Sequence, residues 1–85
     1  MSESIPGVSP EAWREFLAAH AEGDVLTGQV ASIVPFGSFV ELGSGVVGLL
    51  HVSEYVGGEP ELGSSIPVRI HAVDRVGQRL SLKPA

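Results

Sequence analysis

The alternation of apolar and polar positions changes period once along the chain. Residues 1–8 (Met1 to Val8) show no period and are predicted to form a flexible N-terminal tail. Ser9-Pro10-Glu11 then carries the signals of a helix start: a serine N-cap, proline where its missing N–H is harmless, and an acid near the positive end of the helix dipole. Trp13, Phe16, Leu17 and His20 come next at i, i+3, i+4 and i+7 and make one face, so residues 9–22 are predicted to form a helix ending at Gly23. A helix of two to three turns is marginal by itself, so its aromatic stripe must pack on the strands C-terminal to it.

From Asp24 the period shortens to two. Val25 to Val34 reads as a strand with Leu26, Gly28 and Val30 on one side. Ile33 falls out of phase, which predicts a bulge near Ala31-Ser32. Phe36 to Leu42 is the second strand, Gly43-Ser44-Gly45 a hairpin loop, and Val46 to Val52 the third strand. Ser53 to Ser65 is rich in Gly, Pro and Glu and reads as a loop with one helical turn. Ile66 to Val73 is the fourth strand, with Ile66, Val68 and Ile70 inward and Pro67, Arg69 and His71 outward; Asp74 to Gly77 is a turn, and Gln78 to Lys83 the fifth strand. Pro67 has no N–H to give to a ladder and belongs at an edge or gap. Five short strands with glycine-rich turns predict an all-β barrel preceded by a short helix.

Composition narrows the function. The chain has 85 residues, one domain's worth, and offers a face or groove more readily than a deep cavity. It has no cysteine, which excludes disulfides, thiolate zinc sites and a cysteine nucleophile. The start lacks a secretion signal and no apolar run nears the length of a membrane span, so a cytoplasmic protein without membrane contact is expected. Histidines 20, 51 and 71 lack the spacing of a helical zinc motif, and no phosphate-binding glycine loop is present. No catalytic residue, metal site or cofactor is predicted, and the chain is not expected to be an enzyme. The net charge of −5 counts against nucleic acid, but of the five basic residues Arg69, Arg75, Arg79 and Lys83 lie near the C-terminus, where a local positive patch can form.

Phe36-Gly37-Ser38-Phe39-Val40 is the most informative stretch. Val40 and Leu42 share a parity and are the natural core pair, which turns Phe39 outward. Phe36 shares Val40's parity, so a regular strand buries it, whereas a bulge at Gly37 sets it beside Phe39. Two readings stay open at this point: both rings stack on bases, or both lie in the core or under the helix. His51 faces out if Leu50 faces in, and either stacks or donates to phosphate. Arg79, Arg69 and Lys83 are candidates for phosphate contacts, or plain surface charges. Asp74 either only caps its turn or also orients Arg79 and accepts from a base edge.

The run Gly23-Asp24-Val25, Gly28, Val30, Ile33, Phe36-Gly37-Ser38-Phe39-Val40, Gly48-Leu49-Leu50-His51-Val52-Ser53-Glu54, Val68-Arg69-Ile70, Val73-Asp74 and Arg79-Leu80-Ser81-Leu82 resembles the S1 domain, a family named for ribosomal protein S1. The resemblance covers about residues 23–83 and implies a five-stranded Greek-key OB-fold barrel that binds single-stranded RNA on one face. The family's binding positions fall on Phe36, Phe39, His51, Asp74 and Arg79. Ser38 stands where the family usually has Ala, and the stretch from Glu54 to Gly63 is short and acidic where relatives often carry basic residues. The turn from Asp74 to Arg79 is one residue longer than in some relatives, and Lys83 stands where Ser is common. With two stacked bases at roughly 1–3 kcal/mol each and two or three phosphate contacts, binding of about 10 μM to 1 mM is expected. The competing reading is a monomeric docking module that meets the ribosome or another protein through the Trp13/Phe16 helix or a barrel edge.

Overall fold

A computed structural model of the chain describes residues 9–43, 45–74, 76 and 79–85. The predicted tail, the predicted turn residues Ser44, Arg75 and Gly77, and Gln78, predicted to open the fifth strand, lie outside them. The elements are α1 (Pro10–Ala19), β1 (Val25–Val34), β2 (Gly37–Gly43), β3 (Val46–His51), a 3-10 turn (Val52–Glu54), β4 (Ser65–Asp74) and β5 (Arg79–Pro84). The five strands close into one barrel in the order β1-β2-β3-β5-β4, with β4 returning to β1. All pairings are antiparallel except that of β3 with β5. This is the all-β, five-stranded barrel with a short N-terminal helix that the pattern predicts, and the OB type that the resemblance implies.

Inward parity holds the barrel together. Val30, Val40, Val46, Val68, Ile70, Leu80 and Leu82 are each at most 2% exposed, and Leu50 closes the same interior. The outward set of β4, Pro67, Arg69 and His71, is exposed as expected. The bulge also falls where the phase broke: Val30 faces Val40, but Ser32 faces Phe39, which leaves Ala31 as the extra residue. β1 must bend tightly there to close the barrel, and Gly28 allows the approach. A Cβ at Gly28 would collide with Cγ1 of Val40 and sit 2.9 Å from the carbonyl oxygen of Glu41. Pro67 sits where the ladder does not need it. Val68 is the first β4 residue paired with β5, opposite Pro84, so the missing donor falls beyond the end of β5.

Two caps close the ends. At one end, Ser9 Oγ accepts from the Ala12 N–H at 3.1 Å and starts α1. Trp13 and Phe16 are buried against Val40, Val46 and the other core residues, so the helix's aromatic face belongs to the barrel. The helix stops at Ala19, with His20 as C-cap, and does not run to Gly23. The His20 ring packs on Phe16, ring centres 4.7 Å apart, while its backbone turns extended. Gly23, at φ 94°, instead turns the linker, and its N–H donates to the Ile70 carbonyl at 2.7 Å. At the other end Tyr55 packs onto the core and shares a 2.5 Å hydrogen bond with the fully buried Ser38 hydroxyl. Among the described residues no helix is long and apolar enough to cross a membrane, and no group of three or more His, Asp or Glu side chains is placed to hold a metal ion.

Candidate nucleic-acid interface

Three of the predicted residues meet on the outer surface of β2 and β3. Val34 pairs with Gly37, so Pro35 and Phe36 form the loop of a tight hairpin. Phe36 is therefore a turn residue and not the first residue of a strand. It is 50% exposed because the chain reverses there, and the bulge at Gly37 that one reading required is not formed. Gly37 is needed for a different reason: a Cβ there would collide with the Leu50 carbonyl oxygen and fall 3.1 Å from the His51 Cα. Phe39 stands on β2 between Ser32 of β1 and Leu49 of β3, partly buried and outside the barrel interior. The Phe36 and Phe39 rings meet edge to face, with centres 6.1 Å apart and planes at 87°. Of the two readings left open, burial in the core is thereby removed for both rings.

His51 ends β3 opposite Gly37, exposed, while Leu50 points in at 5% exposure. The Val52 N–H donates to the Phe36 carbonyl at 2.9 Å and ties the end of β3 to the hairpin loop. The Ser53 N–H donates to His51 Nδ1 at 3.1 Å, and the Ser53 hydroxyl lies 2.9 Å from the same nitrogen. A backbone N–H only donates, so Nδ1 is an acceptor and the neutral ring carries its proton on Nε2. Ser53 thus fixes the ring and leaves Nε2–H as the free donor. Ser53 belongs to the run that carries the resemblance, but the pattern assigns it no role.

The other four residues form two pairs. Asp74 and Arg79 face each other across the start of β5, and Asp74 Oδ1 accepts from the Val76 N–H at 3.1 Å, which is the turn-capping role. Arg69 and Lys83 face each other across β4 and β5. One residue beyond the parallel pair Leu50 and Leu82 stand His51 and Lys83, so an outward row leads from Gly37 through His51 and Lys83 to Arg69. Arg69 Nη1 donates to the Gly23 carbonyl at 2.9 Å, and among the described residues no carboxylate pairs with Arg69 or Lys83. Arg79 instead opens β5, one residue before Leu80, which pairs with Gly48, three residues before His51 on β3. The structure therefore brings Phe36, Phe39 and His51 together on β2 and β3; Phe39 lies level with Leu49 and Ser81, with Arg79 two residues to one side along β5 and Lys83 two residues to the other, and Arg69 lies beyond Lys83 on β4.

Comparison with known proteins gives this geometry its family. The chain is 33% identical to small ribosomal subunit protein bS1 of Mycobacterium leprae, over 96% of this chain and 18% of that protein. The protein of the same name from Mycolicibacterium smegmatis is also 33% identical, over 96% of this chain and 19% of its own length. The chain thus spans about a fifth of the length of these curated relatives. Among solved structures, GSP13 from Bacillus subtilis superposes with a TM-score of 0.68 at 31% identity, covering 75% of this chain and 55% of that one. Protein MJ1198 from Methanocaldococcus jannaschii, at 23% identity, shares the fold with a TM-score of 0.71 over 78% of this chain and 93% of its own. The sequence signature of the S1 RNA binding domain matches residues 19–83, and the chain belongs to that family.

Proposed function

We propose that this barrel binds single-stranded RNA weakly and with little sequence preference. The observation that carries the reading is the edge-to-face pair of Phe36 and Phe39, on the outer surface beside a histidine whose donor is aimed by Ser53. An unpaired base stacks on an aromatic face whatever its identity, which makes such a site tolerant of sequence. Nε2–H of His51 donates to a phosphate or a base edge, and Lys83 and Arg69 track the backbone along the outward row. Arg79 takes a phosphate further along the strand, with Asp74 holding its turn. The relatives are named as ribosomal proteins and are about five times longer than this chain, which supports a barrel acting as a monomeric unit of a larger assembly, in the cytoplasm and at the ribosome. Docking through the Trp13/Phe16 face is disfavoured, because both rings are already buried in the barrel.

The test is a titration with oligouridylate RNA followed by NMR. Signals of Phe36, Phe39 and His51 are expected to shift together, with a Kd of about 10 μM to 1 mM. Phe36→Ala removes a half-exposed ring, so the fold stays intact while one stacking contact of about 1–3 kcal/mol is lost, a fall of roughly 5- to 150-fold. An unchanged Kd in a folded Phe36→Ala variant would remove the ring from the interface.

A further inference from the structure

A sizeable groove lies away from the aromatic patch, beneath the segment that joins β3 to β4. It encloses about 420 Å³, within the range of ligand clefts, which run from about 300 to 1,000 Å³. Leu50, Tyr55, Val56, Ile66, Pro67 and Pro84 make an apolar lining. Its origin is topological. The pairing of β4 with β5 ends at Val68 opposite Pro84, so Ser65–Pro67 run on without a strand on that side. Across the gap stand Leu50 at the end of β3 and Tyr55, held by Ser38.

The charges on the rim are of one sign. Glu54, Glu59 and Glu61 all line the groove, no Lys or Arg is among its lining residues, and no basic side chain pairs with these carboxylates among the described residues. Val56, 79% exposed, adds an apolar residue to the same rim. Such a surface repels a phosphate backbone. It complements a chain that brings apolar side chains for the floor and cations for the rim. The side of Ser65–Pro67 that β5 leaves uncovered has no donor at Pro67, so the apolar floor and the acidic rim, and not a strand ladder, hold a bound segment.

We propose that this groove seats an extended peptide segment of a partner protein in which basic and apolar residues alternate. RNA on the aromatic patch and peptide in the groove then occupy separate surfaces, so the barrel serves as an adaptor between the two. Peptide binding here does not depend on RNA binding. The probe is a short synthetic peptide of alternating arginine and leucine, with an alternating glutamate and leucine peptide as its control. The basic peptide is expected to shift the amide signals of Val56, Gly58, Glu61 and Ser65 saturably and to leave those of Phe39 and His51 in place. Raising salt from low to physiological strength weakens this binding severalfold, because the rim charges are exposed and screened. The combined variant Glu54→Gln, Glu59→Gln and Glu61→Gln weakens it about tenfold or more, with unchanged Val40 and Leu82 signals showing that the barrel is folded. Equal binding of the acidic control, salt-independent binding, shifts confined to Phe39 and His51, or groove signals moved by oligouridylate would each overturn it.

Discussion

His51 shows how one backbone donor decides what a side chain offers. An imidazole at a strand end is free to rotate and to hold its proton on either nitrogen. In this chain the Ser53 N–H and hydroxyl both converge on Nδ1, so rotation and tautomer are set together. The consequence is a ring whose Nε2–H points away from the main chain, without ordering cost when a phosphate or base arrives. In the neutral ring, long-range proton–nitrogen correlation is expected to show the proton on Nε2. The opposite tautomer would mean that the Ser53 bond does not form in solution and that His51 is not pre-aimed. Phe36 makes a similar point about exposure. The strand pattern offers two orientations for it, and the structure takes the exposed one beside Phe39, by a hairpin loop at Pro35 and Phe36 and not by a bulge.

Between elements, the deciding contact is that of α1 with the barrel. Trp13 and Phe16 are buried, at 5% and 8% exposure, and α1 has only ten residues to hold itself. Trp13→Ala is expected to lower stability by about 3–5 kcal/mol, read from urea unfolding, a large share of what a domain of this size has. A loss under about 1 kcal/mol would show that the helix is an appendage and not a cap. The strands were legible in the sequence because each has one buried face, and period-two alternation is what that imposes. β1 matched at both ends, and its bulge at Ala31 was visible as a break in phase. The end of α1 was not legible: Gly23 is the usual stop signal, but His20 turns out of the helix earlier while its ring stays packed on Phe16. The bond from Ser38 to Tyr55 was not legible either, since it joins residues from different elements whose types mark no site. The same holds for the candidate patch. Its rings and histidine carried a family pattern, but the row from His51 through Lys83 to Arg69 exists only once β3, β5 and β4 are neighbours.

Across the whole molecule, an acidic protein is expected to repel RNA, and the question is what a net charge of −5 does to binding at a patch that contains cations. The two effects differ in range. Repulsion from Glu and Asp on other surfaces acts through solvent and fades beyond about 8 Å at physiological ionic strength. Contacts of Lys83, Arg69 and Arg79 with phosphates act at hydrogen-bond distance and release counterions. Salt therefore weakens the contacts and at the same time relieves the repulsion, so the two oppose each other in a titration. Counting contacts alone gives a slope of log K against log salt of about −1.5 to −2 for two or three phosphates on a single strand. The measured slope for oligouridylate is expected to be shallower than that range, and most so at low salt. Lys83→Gln is expected to reduce its magnitude by about 0.7, the value of one phosphate contact. Phe36→Ala is expected to lower affinity at every salt concentration and leave the slope as it was, because stacking releases no counterions. A Phe36→Ala variant whose loss vanished at high salt would mean that the ring acts by positioning cations, and a Lys83→Gln variant with an unaltered slope would move the phosphate path off the row that joins His51 to Arg69.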